Sequence, residues 1–333
     1  SSVTDPILTV GGGSKSLKPG TEFSIILVDP DQNVNSGARD NLDVFRASTI
    51  IPTMIIGSPV TFENARDVLF HTGSFPTGDD ANSSVPDSGR LIIDTSTVID
   101  GSYESISVNL GVTSSSLASS LLDASESNTH GTNWINYDLR SFENDFVVCD
   151  FGDISFSLYF DSLSGSSITI VDPGDISSSK GFIQIDDSDV NDISNESGNV
   201  FLVIDFGSSG MLSIDNEDSP QPIIFDFFSF GIQNDKGIHN SIYRFELEET
   251  SDNSSTFEGT LEYSVANQLN ILNPAFIQTI RPIDDQVKFI ITDRLIDEEG
   301  ITISYSDLDM SGVFTTTSTK SDINTNAGTV SSN

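Results

Sequence analysis

Three stretches of closely spaced acidic and amide residues are the part of this sequence best suited to chemistry, because their oxygen atoms can converge on a metal ion. The first follows an apolar run and reads Asp-x-Asp-x-Asn-x-Asn. The second reads Asp-x-Asp-x-Asn, and the third is Asp-Leu-Asp. Alternate oxygen ligands on a tight loop suit hard cations such as calcium. The sequence therefore predicts calcium ligands at Asp29, Asp31, Asn33, Asn35, Asp187, Asp189, Asn191, Asp307 and Asp309.

A plain polar loop is the alternative interpretation of these stretches. The first one lacks the glycine and the glutamate that an EF-hand loop carries at its sixth and twelfth positions, and strands are expected on either side of it. Asp and Asn side chains also bond to backbone amides in ordinary turns. The further acidic clusters at Asp284-Asp285 and Asp297-Glu298-Glu299 are interpreted as solvated loop charges.

The charge balance excludes several classes of partner. Fifty Asp and Glu residues face fourteen Lys and Arg residues, which gives a formal net charge of -36. Nucleic acids and anionic lipid headgroups need clusters of basic residues, so neither is an expected partner. Divalent and monovalent cations are the expected ligands of such a surface.

Catalysis finds little support in the sequence, and we predict that the protein is not an enzyme. His71, His130 and His239 are scattered, and nucleophile-elbow, zinc-protease and phosphate-loop motifs are absent from the sequence. Cys149 is the only cysteine, which excludes an intrachain disulfide. Its apolar neighbours predict a small buried residue.

The elements that must position these residues are strands. Apolar and polar residues alternate at 154–158, 243–248, 257–265 and 301–305. This alternation predicts antiparallel sheets with one face packed on a core and the other exposed to solvent. Short helices are expected only at 116–124 and 63–69. Frequent Ser, Asp, Asn and Gly turns indicate β-sandwiches, so the expected fold is all-β.

An internal repeat sets the expected domain organisation. Strand, turn, strand and Asp-x-Asp-x-Asn occur in this order at both 7–33 and 167–191. A weaker repeat links 133–139 to 240–247 at a spacing about fifty residues shorter than that of the first repeat. An insertion of about fifty residues is therefore expected in the first unit, within 47–100. We therefore expect one sandwich over 1–165, with its boundary near Gly165, and a second over 166–314. Residues 315–333 would form a terminal strand with a linker, or the start of a further unit.

Several of these segments resemble the Ig-like repeats of surface-layer (S-layer) proteins of ammonia-oxidising archaea. The segments are 28–35 (Val-Asp-Pro-Asp-Gln-Asn-Val-Asn), 243–250, 255–263, 301–307 and 311–313. The resemblance covers the second unit best and also the start of the first. It implies tandem Ig-like domains that assemble into a lattice on the cell surface. It also implies divalent-cation binding, an acidic surface that attracts ammonium, and no catalytic residues.

The expected function is thus a structural one outside the cell, with other copies of the chain and cations as partners. No apolar run is long enough to span a membrane, and the sequence starts abruptly and without a signal peptide, as expected of a processed protein or an excised fragment. N-glycans are possible partners at Asn82, Asn195 and Asn253, which begin glycosylation triplets. Two alternatives stay open: an adhesin or carbohydrate-binding module, for which Trp134 is the only tryptophan, and an extracellular hydrolase.

Overall fold

Strands dominate the computed structural model, which describes residues 6–13, 16–73, 75–147, 151–207, 211–215, 220–292, 300–308 and 314–323. In chain order the strands are β1 Ile7–Val10, β2 Ser16–Leu17, β3 Phe23–Val28, β4 Asn41–Leu42, β5 Thr53–Ile56, β6 Arg66–His71, β7 Asp79–Ser84, β8 Leu91–Asp94, β9 Gly101–Tyr103, β10 Ser105–Thr113, β11 His130–Asp138, β12 Ser155–Phe160, β13 Ser167–Val171, β14 Lys180–Ile185, β15 Asn199–Asp205, β16 Leu212–Ile214, β17 Gln221–Gln233, β18 Lys236–Phe245, β19 Leu247–Glu249, β20 Thr256–Ala266, β21 Ile283–Asp284, β22 Gln286–Thr292, β23 Gly300–Leu308 and β24 Phe314–Ile323. The helices are α1 Ser114–Ser120, α2 Asp187–Asn195, α3 Gln268–Ile271 and α4 Pro274–Ile277.

The alternating segments form the strands that were predicted. Within β20, Phe257, Leu261 and Tyr263 are buried, whereas Glu258 on the opposite face is exposed. An all-β fold with large antiparallel sheets is therefore confirmed. The pairs β20–β22, β18–β21 and β2–β24 are parallel, so the sheets are not antiparallel throughout.

The chain divides into two compact units that differ from the predicted division. Unit 1 comes from Ser1–Val44, Ser48–Gly57 and Ser241–Asn333, and unit 2 from Phe45–Ala47 and Ser58–Asn240. Unit 2 is thus inserted into unit 1, and the insertion is far longer than the one expected at 47–100.

Strand pairing explains this division. Strand β3 pairs with β20, so the two ends of the sequence build one sheet. The predicted boundary near Gly165 instead lies in the turn between β12 and β13, which are antiparallel neighbours. A turn between paired strands cannot separate two domains.

Unit 1 consists of two sheets in contact. One has the order β1-β3-β20-β19-β4, with β22 also paired to β20. In the other, β18 pairs with β5 and β21, β5 with β23, β23 with β24, and β24 with β2. The rings of Tyr243 in the second sheet and Phe289 in the first have centroids 5.4 Å apart, which shows that apolar faces of the two sheets meet.

Unit 2 is built on a sheet that runs β13-β12-β15-β10-β6-β7-β8-β17, with β11 pairing both β17 and β14. Its core joins side chains from β6, β10, β12 and β15 to side chains from β11 and β17. The two ends of this sheet therefore share one core.

The predicted repeat does not reappear as equivalent structure. Strands β1 and β3 pair with each other, whereas β13 pairs with β12 and β14 with β11. Of the two predicted helices, 116–124 corresponds to α1, which starts two residues earlier. The segment 63–69 was wrong as a helix, because a short 3-10 turn at Phe62–Asn64 leads directly into β6.

Some predictions fall outside the described residues. They concern Asp309, Cys149, the cluster 297–299, and the tail beyond β24. The described part of the tail is β24, which pairs with β23. Among the described residues, none of the helices has the length and apolar character needed to cross a membrane.

Candidate cation site

The first acidic loop follows β3 and is shaped by its own residue types. Asp29 caps the short 3-10 turn Pro30–Gln32, and its Oδ1 accepts a hydrogen bond from the Asp31 backbone N–H at 2.9 Å. A side-chain oxygen at the cap and a proline at the first helical position are the preferred start of such a turn. The backbone N–H of Asp29 donates to the Ser255 carbonyl at 2.9 Å, which fixes the loop to the turn before β20.

Strand β23 brings a second acidic element to this loop. Tyr305 and Asp307 lie two residues apart on β23 and therefore share one face of the strand. Both are buried, and the Tyr305 hydroxyl donates a hydrogen bond to Oδ2 of Asp29 at 2.6 Å. Strand β23 therefore positions the Asp307 carboxylate on the side of unit 1 where Asp29 lies.

Three carboxylates meet at this point. One oxygen from each of Asp29, Asp31 and Asp307 lies within 4.8 Å of the other two. Calcium binds oxygen ligands at about 2.3–2.6 Å, so two ligands on opposite sides of one ion are about 4.6–5.2 Å apart. The three oxygens are therefore close enough to share a single calcium ion.

The environment of the three carboxylates favours a cation. Asp29 and Asp307 are buried, whereas Asp31 is exposed and leaves a route from solvent. Within the described part of the chain, neither Asp29 nor Asp31 forms an ion pair with a lysine or arginine. Two ionised carboxylates this close repel each other by about 3–4 kcal/mol at an effective dielectric constant of about 20.

Asn33 lies on the same loop, two residues after Asp31, and is bonded to the turn before β20. Its Nδ2 donates to Asn253 Oδ1 at 2.8 Å and to Ser255 Oγ at 3.3 Å. Its Oδ1 is buried and has no hydrogen-bond partner in the described part of the chain. Leaving a buried acceptor unsatisfied costs free energy, and an amide oxygen is a ligand type that calcium accepts. The donor set fits calcium, and the remaining ligand positions are open to backbone oxygens or water.

Two acidic residues that the sequence did not single out hold the loop in place. The buried Glu249 accepts the Asp40 N–H through Oε2 at 3.1 Å and the Ser255 N–H through Oε1 at 2.9 Å. Asp40 Oδ2 in turn accepts the backbone N–H groups of Val34 and Asn35. Glu249 alternates with its neighbours in β19, and this periodicity was the available signal that its side chain points inward.

The other predicted ligands do not join the cluster. Asn35 Oδ1 accepts the Gly37 N–H within its own turn. Asp187, Asp189 and Asn191 lie on α2 instead of a loop. Residues two apart on a helix point in different directions, about 200° around the axis. These three therefore do not converge as the loop residues do.

The carboxyls on α2 have an environment of their own. Burial, and then the nearby charges of Asp186 and Asp123, raise the pKa of Asp187. Burial and the charge of Asp186 likewise raise the pKa of Asp189. This end of unit 2 is locally rich in negative charge without forming a compact set of ligands.

Trp134 is fully buried and stacks on Phe182, with ring centroids 5.0 Å apart. Its Nε1–H donates to the hydroxyl of Thr132 at 2.9 Å. A carbohydrate platform needs an exposed aromatic face, so the only tryptophan of the chain does not supply one.

The three glycosylation triplets begin at exposed asparagines, Asn82, Asn195 and Asn253. Asn253 lies directly beside the candidate site, because its Oδ1 accepts from Asn33.

The three histidines lie in unit 2, on β6, β11 and β18. His71 is buried, with Nδ1 2.8 Å from the Thr77 carbonyl and Nε2 2.7 Å from Ser107 Oγ. Burial lowers its pKa. Ser107 is itself buried, so this pair belongs to the protein interior.

Comparison with known proteins gives no relative from which to transfer a function. No protein-family model matches the sequence, and no curated protein is significantly similar to it.

Proposed function

We propose that this chain is a structural component of an archaeal cell-surface layer that assembles with itself in the presence of divalent cations. The observation that carries the proposal is the convergence of Asp29, Asp31 and Asp307 from two distant parts of the sequence. Strands and turns position these carboxylates before any ion binds, so the site is built by the fold of unit 1.

Calcium binding would act in two ways. At free calcium of about 10–100 times Kd, one site stabilises the folded state by about 1.4–2.7 kcal/mol. The ion also neutralises part of a chain whose formal net charge is -36. Lower charge reduces the repulsion between neighbouring copies, so calcium promotes assembly as well as stability.

The sheet architecture of unit 1 supports the same proposal. Its two contacting sheets suit an Ig-like sandwich, the domain type implied by the resemblance to archaeal S-layer repeats. An acidic surface outside the cell would concentrate cations such as ammonium near the membrane. The adhesin alternative is less well supported, because Trp134 is buried.

The test is assembly of the purified chain with and without calcium at constant ionic strength. Sedimentation and negative-stain electron microscopy would be done in calcium, in magnesium and in EDTA, with thermal unfolding in parallel. We expect ordered assemblies in calcium, and their dissociation in EDTA below the temperature at which the units unfold. Magnesium should be a weaker substitute, since it demands a tighter octahedral shell. The same assembly state in calcium and in EDTA would contradict the proposal.

A further inference from the structure

Strands β20 and β22 carry an ion pair on the outer face of the first sheet of unit 1. The two strands are parallel neighbours, and their register places Glu262 opposite Lys288 and Ser264 opposite Ile290. Nζ of Lys288 lies 3.3 Å from Oε2 of Glu262. Side chains alternate along a strand, so Glu262 and Ser264 point away from the buried Tyr263 between them and from the core between the two sheets.

The connection between these two strands covers the same face. Parallel neighbours need a crossover connection, and this one contains α3 and α4. Residues of the strands and of the crossover line one cavity of about 270 Å³, among them Glu262, Ser264 and Lys288 from the strands and Phe276, Thr279 and Ile280 from the crossover. The cavity therefore lies between the outer face of the sheet and the crossover.

Hydrogen bonds hold the crossover in place. Asn267 and Asn270 form a capping box at the start of α3, and Asn273 caps α4. After α4, the backbone N–H of Arg281 donates to the Lys288 carbonyl at 2.9 Å, which fixes the end of the crossover to β22. The walls of the cavity are thus in position before a ligand binds, and binding costs little conformational entropy.

The cavity combines apolar walls with a few polar groups. Ile280 and Ile290 are buried, and Phe276 is half-buried. Lys288 and Glu262 are 42% and 32% exposed, so a ligand can reach both charged groups from solvent. Ligand sites in proteins have this combination, and their volumes are usually about 300–1,000 Å³. The cavity lies near the lower end of that range, a size that suits a single small ring.

The ion pair favours a neutral ligand. Glu262 repels an anion that approaches Lys288, and Lys288 repels a cation that approaches Glu262. The paired ammonium still has hydrogen-bond donors, and the paired carboxylate still has acceptor sites. Two adjacent hydroxyl groups match both, because one donates to the carboxylate while its neighbour accepts from the ammonium. A zwitterion would have to replace the contact between the two side chains, whereas such a diol leaves it intact.

We propose that this cavity binds a neutral polyol, namely one pyranose ring of a carbohydrate. Two adjacent ring hydroxyls contact Glu262 and Lys288, and the C–H groups of the ring pack on Ile280 and Phe276. The Thr279 hydroxyl donates to the Phe276 carbonyl at 2.6 Å, so it offers a ligand an acceptor. This binding goes beyond the proposed assembly and does not depend on it, since none of the lining residues is a predicted calcium ligand.

The experiment is an NMR titration of the full chain in EDTA, with ¹³C-labelled methyl groups on its isoleucines. Ile280 and Ile290 report from the cavity, and Ile99, which is exposed in unit 2, is the internal reference. Substitution of each by valine assigns its signal. The probes are the methyl pyranosides of glucose, galactose and mannose. Alanine, as a zwitterion, and cyclohexanol, as a ring with one hydroxyl, are the comparison ligands.

Two variants test the role of the ion pair. E262Q/K288M removes both charges together, and Lys236→Met removes an exposed lysine of unit 2 as the control. Because the pair is partly exposed, its loss should leave unit 1 folded, which thermal unfolding checks.

We expect saturable shifts of the Ile280 and Ile290 signals, and none of Ile99, with at least one pyranoside, at a Kd in the millimolar range. Alanine and cyclohexanol should bind at least fivefold more weakly. E262Q/K288M should raise the Kd at least fivefold, and Lys236→Met should leave it unchanged. The inference is overturned by the absence of shifts with all three pyranosides, by equal binding of alanine, or by an unchanged Kd in E262Q/K288M. Since EDTA removes calcium throughout, each of these results is independent of the outcome at the candidate cation site.

Discussion

The Tyr305 hydroxyl donates a hydrogen bond to the Asp29 carboxylate at 2.6 Å across 276 positions of sequence. The bond links the second sheet of unit 1 to the loop that follows β3 in the first. It also orients the carboxylate, since Oδ2 accepts from Tyr305 while Oδ1 accepts from the Asp31 amide. A carboxylate offers about four acceptor sites, so Asp29 can keep both bonds and still bind an ion.

Replacing Tyr305 by phenylalanine should destabilise unit 1 by about 1–3 kcal/mol, because a buried carboxylate oxygen loses a partner. Urea unfolding in EDTA measures the loss. Calcium should offset part of it, since an ion supplies Asp29 with a new partner. Tyr159→Phe in unit 2 is the matched control and should leave the calcium effect unchanged. A Tyr305→Phe protein as stable as the wild type would show that the bond contributes nothing.

An ion pair in unit 2 gives a second prediction. Nε and Nη2 of Arg140 lie 3.0 and 2.7 Å from Oδ2 of Asp138, whose side chain is only 2% exposed. Removing the guanidinium cation leaves the buried Asp138 carboxylate without an opposite charge. Arg140→Met should therefore lower the unfolding free energy by about 3–5 kcal/mol. Arg66→Met breaks the exposed pair with Asp67 and should cost about 0–1 kcal/mol.

The double variant D138N/R140M separates the pair from the packing of the arginine. It should recover much of the loss, because no unpaired charge remains. If the double variant is no more stable than Arg140→Met, the cost comes from contacts of the guanidinium, which also lies 4.6 Å from the centre of the Phe45 ring.

Two glycines near His71 should respond differently to an added methyl group. A Cβ at Gly78 would lie 2.7 Å from Nδ1 of His71 and 2.8 Å from the carbonyl oxygen of Phe70. Gly78→Ala should therefore cost about 1–3 kcal/mol through overpacking. A Cβ at Gly73 meets nothing within 4 Å, so Gly73→Ala should stay within about 0.5 kcal/mol of the wild type. Equal midpoints of chemical unfolding for the two variants would argue against the close approach at Gly78.

Acid should weaken the protein through His239. Burial lowers the pKa of His239 from 6.5 to about 3. Between these values the unfolded chain binds a proton at this histidine and the folded protein does not. Stability therefore falls as pH drops from about 6.5 towards 3, by up to about 1.4 kcal/mol per pH unit. Below about pH 3 both states are protonated and the loss stops growing.

Unfolding free energies at pH 7, 6, 5 and 4.5 test this effect. His239→Gln should flatten the pH dependence, whatever its stability at pH 7, while His130→Gln at an exposed position should follow the wild type. Parallel profiles for His239→Gln and the wild type would mean that His239 is protonated in the folded state as easily as in the unfolded one.

The local part of the fold was predictable from the sequence. Alternation of residues such as Phe257, Leu261 and Tyr263 fixes which face of a strand is buried, and the structure has these faces as predicted. The insertion of unit 2 into the sequence of unit 1 was not predictable in this way. It depends on the pairing of β3 with β20, and no local pattern encodes a partner at that distance.

In the candidate site, too, local features were predictable from the sequence and long-range contacts were not. Asp29 and Asp31 were found from their spacing, but their association with Asp307 follows from the tertiary position of β23. The similar spacing at Asp187 and Asp189 does not produce the same kind of loop, because those residues belong to a helix. Val190 and Ile193 are buried three residues apart, and this helical spacing was the signal that distinguishes the second segment from the first.

Calorimetric titration with calcium at 0.15 M salt tests the central claim most directly. The wild type, Asp31→Asn, Asp307→Asn and Asp189→Asn would be compared, each confirmed as folded by thermal unfolding. We predict saturable binding to the wild type and to Asp189→Asn, and a Kd at least tenfold higher for Asp31→Asn and Asp307→Asn. Weak, unsaturable binding to the wild type, or unchanged affinity in Asp31→Asn and Asp307→Asn, would contradict the claim that these carboxylates form a calcium site.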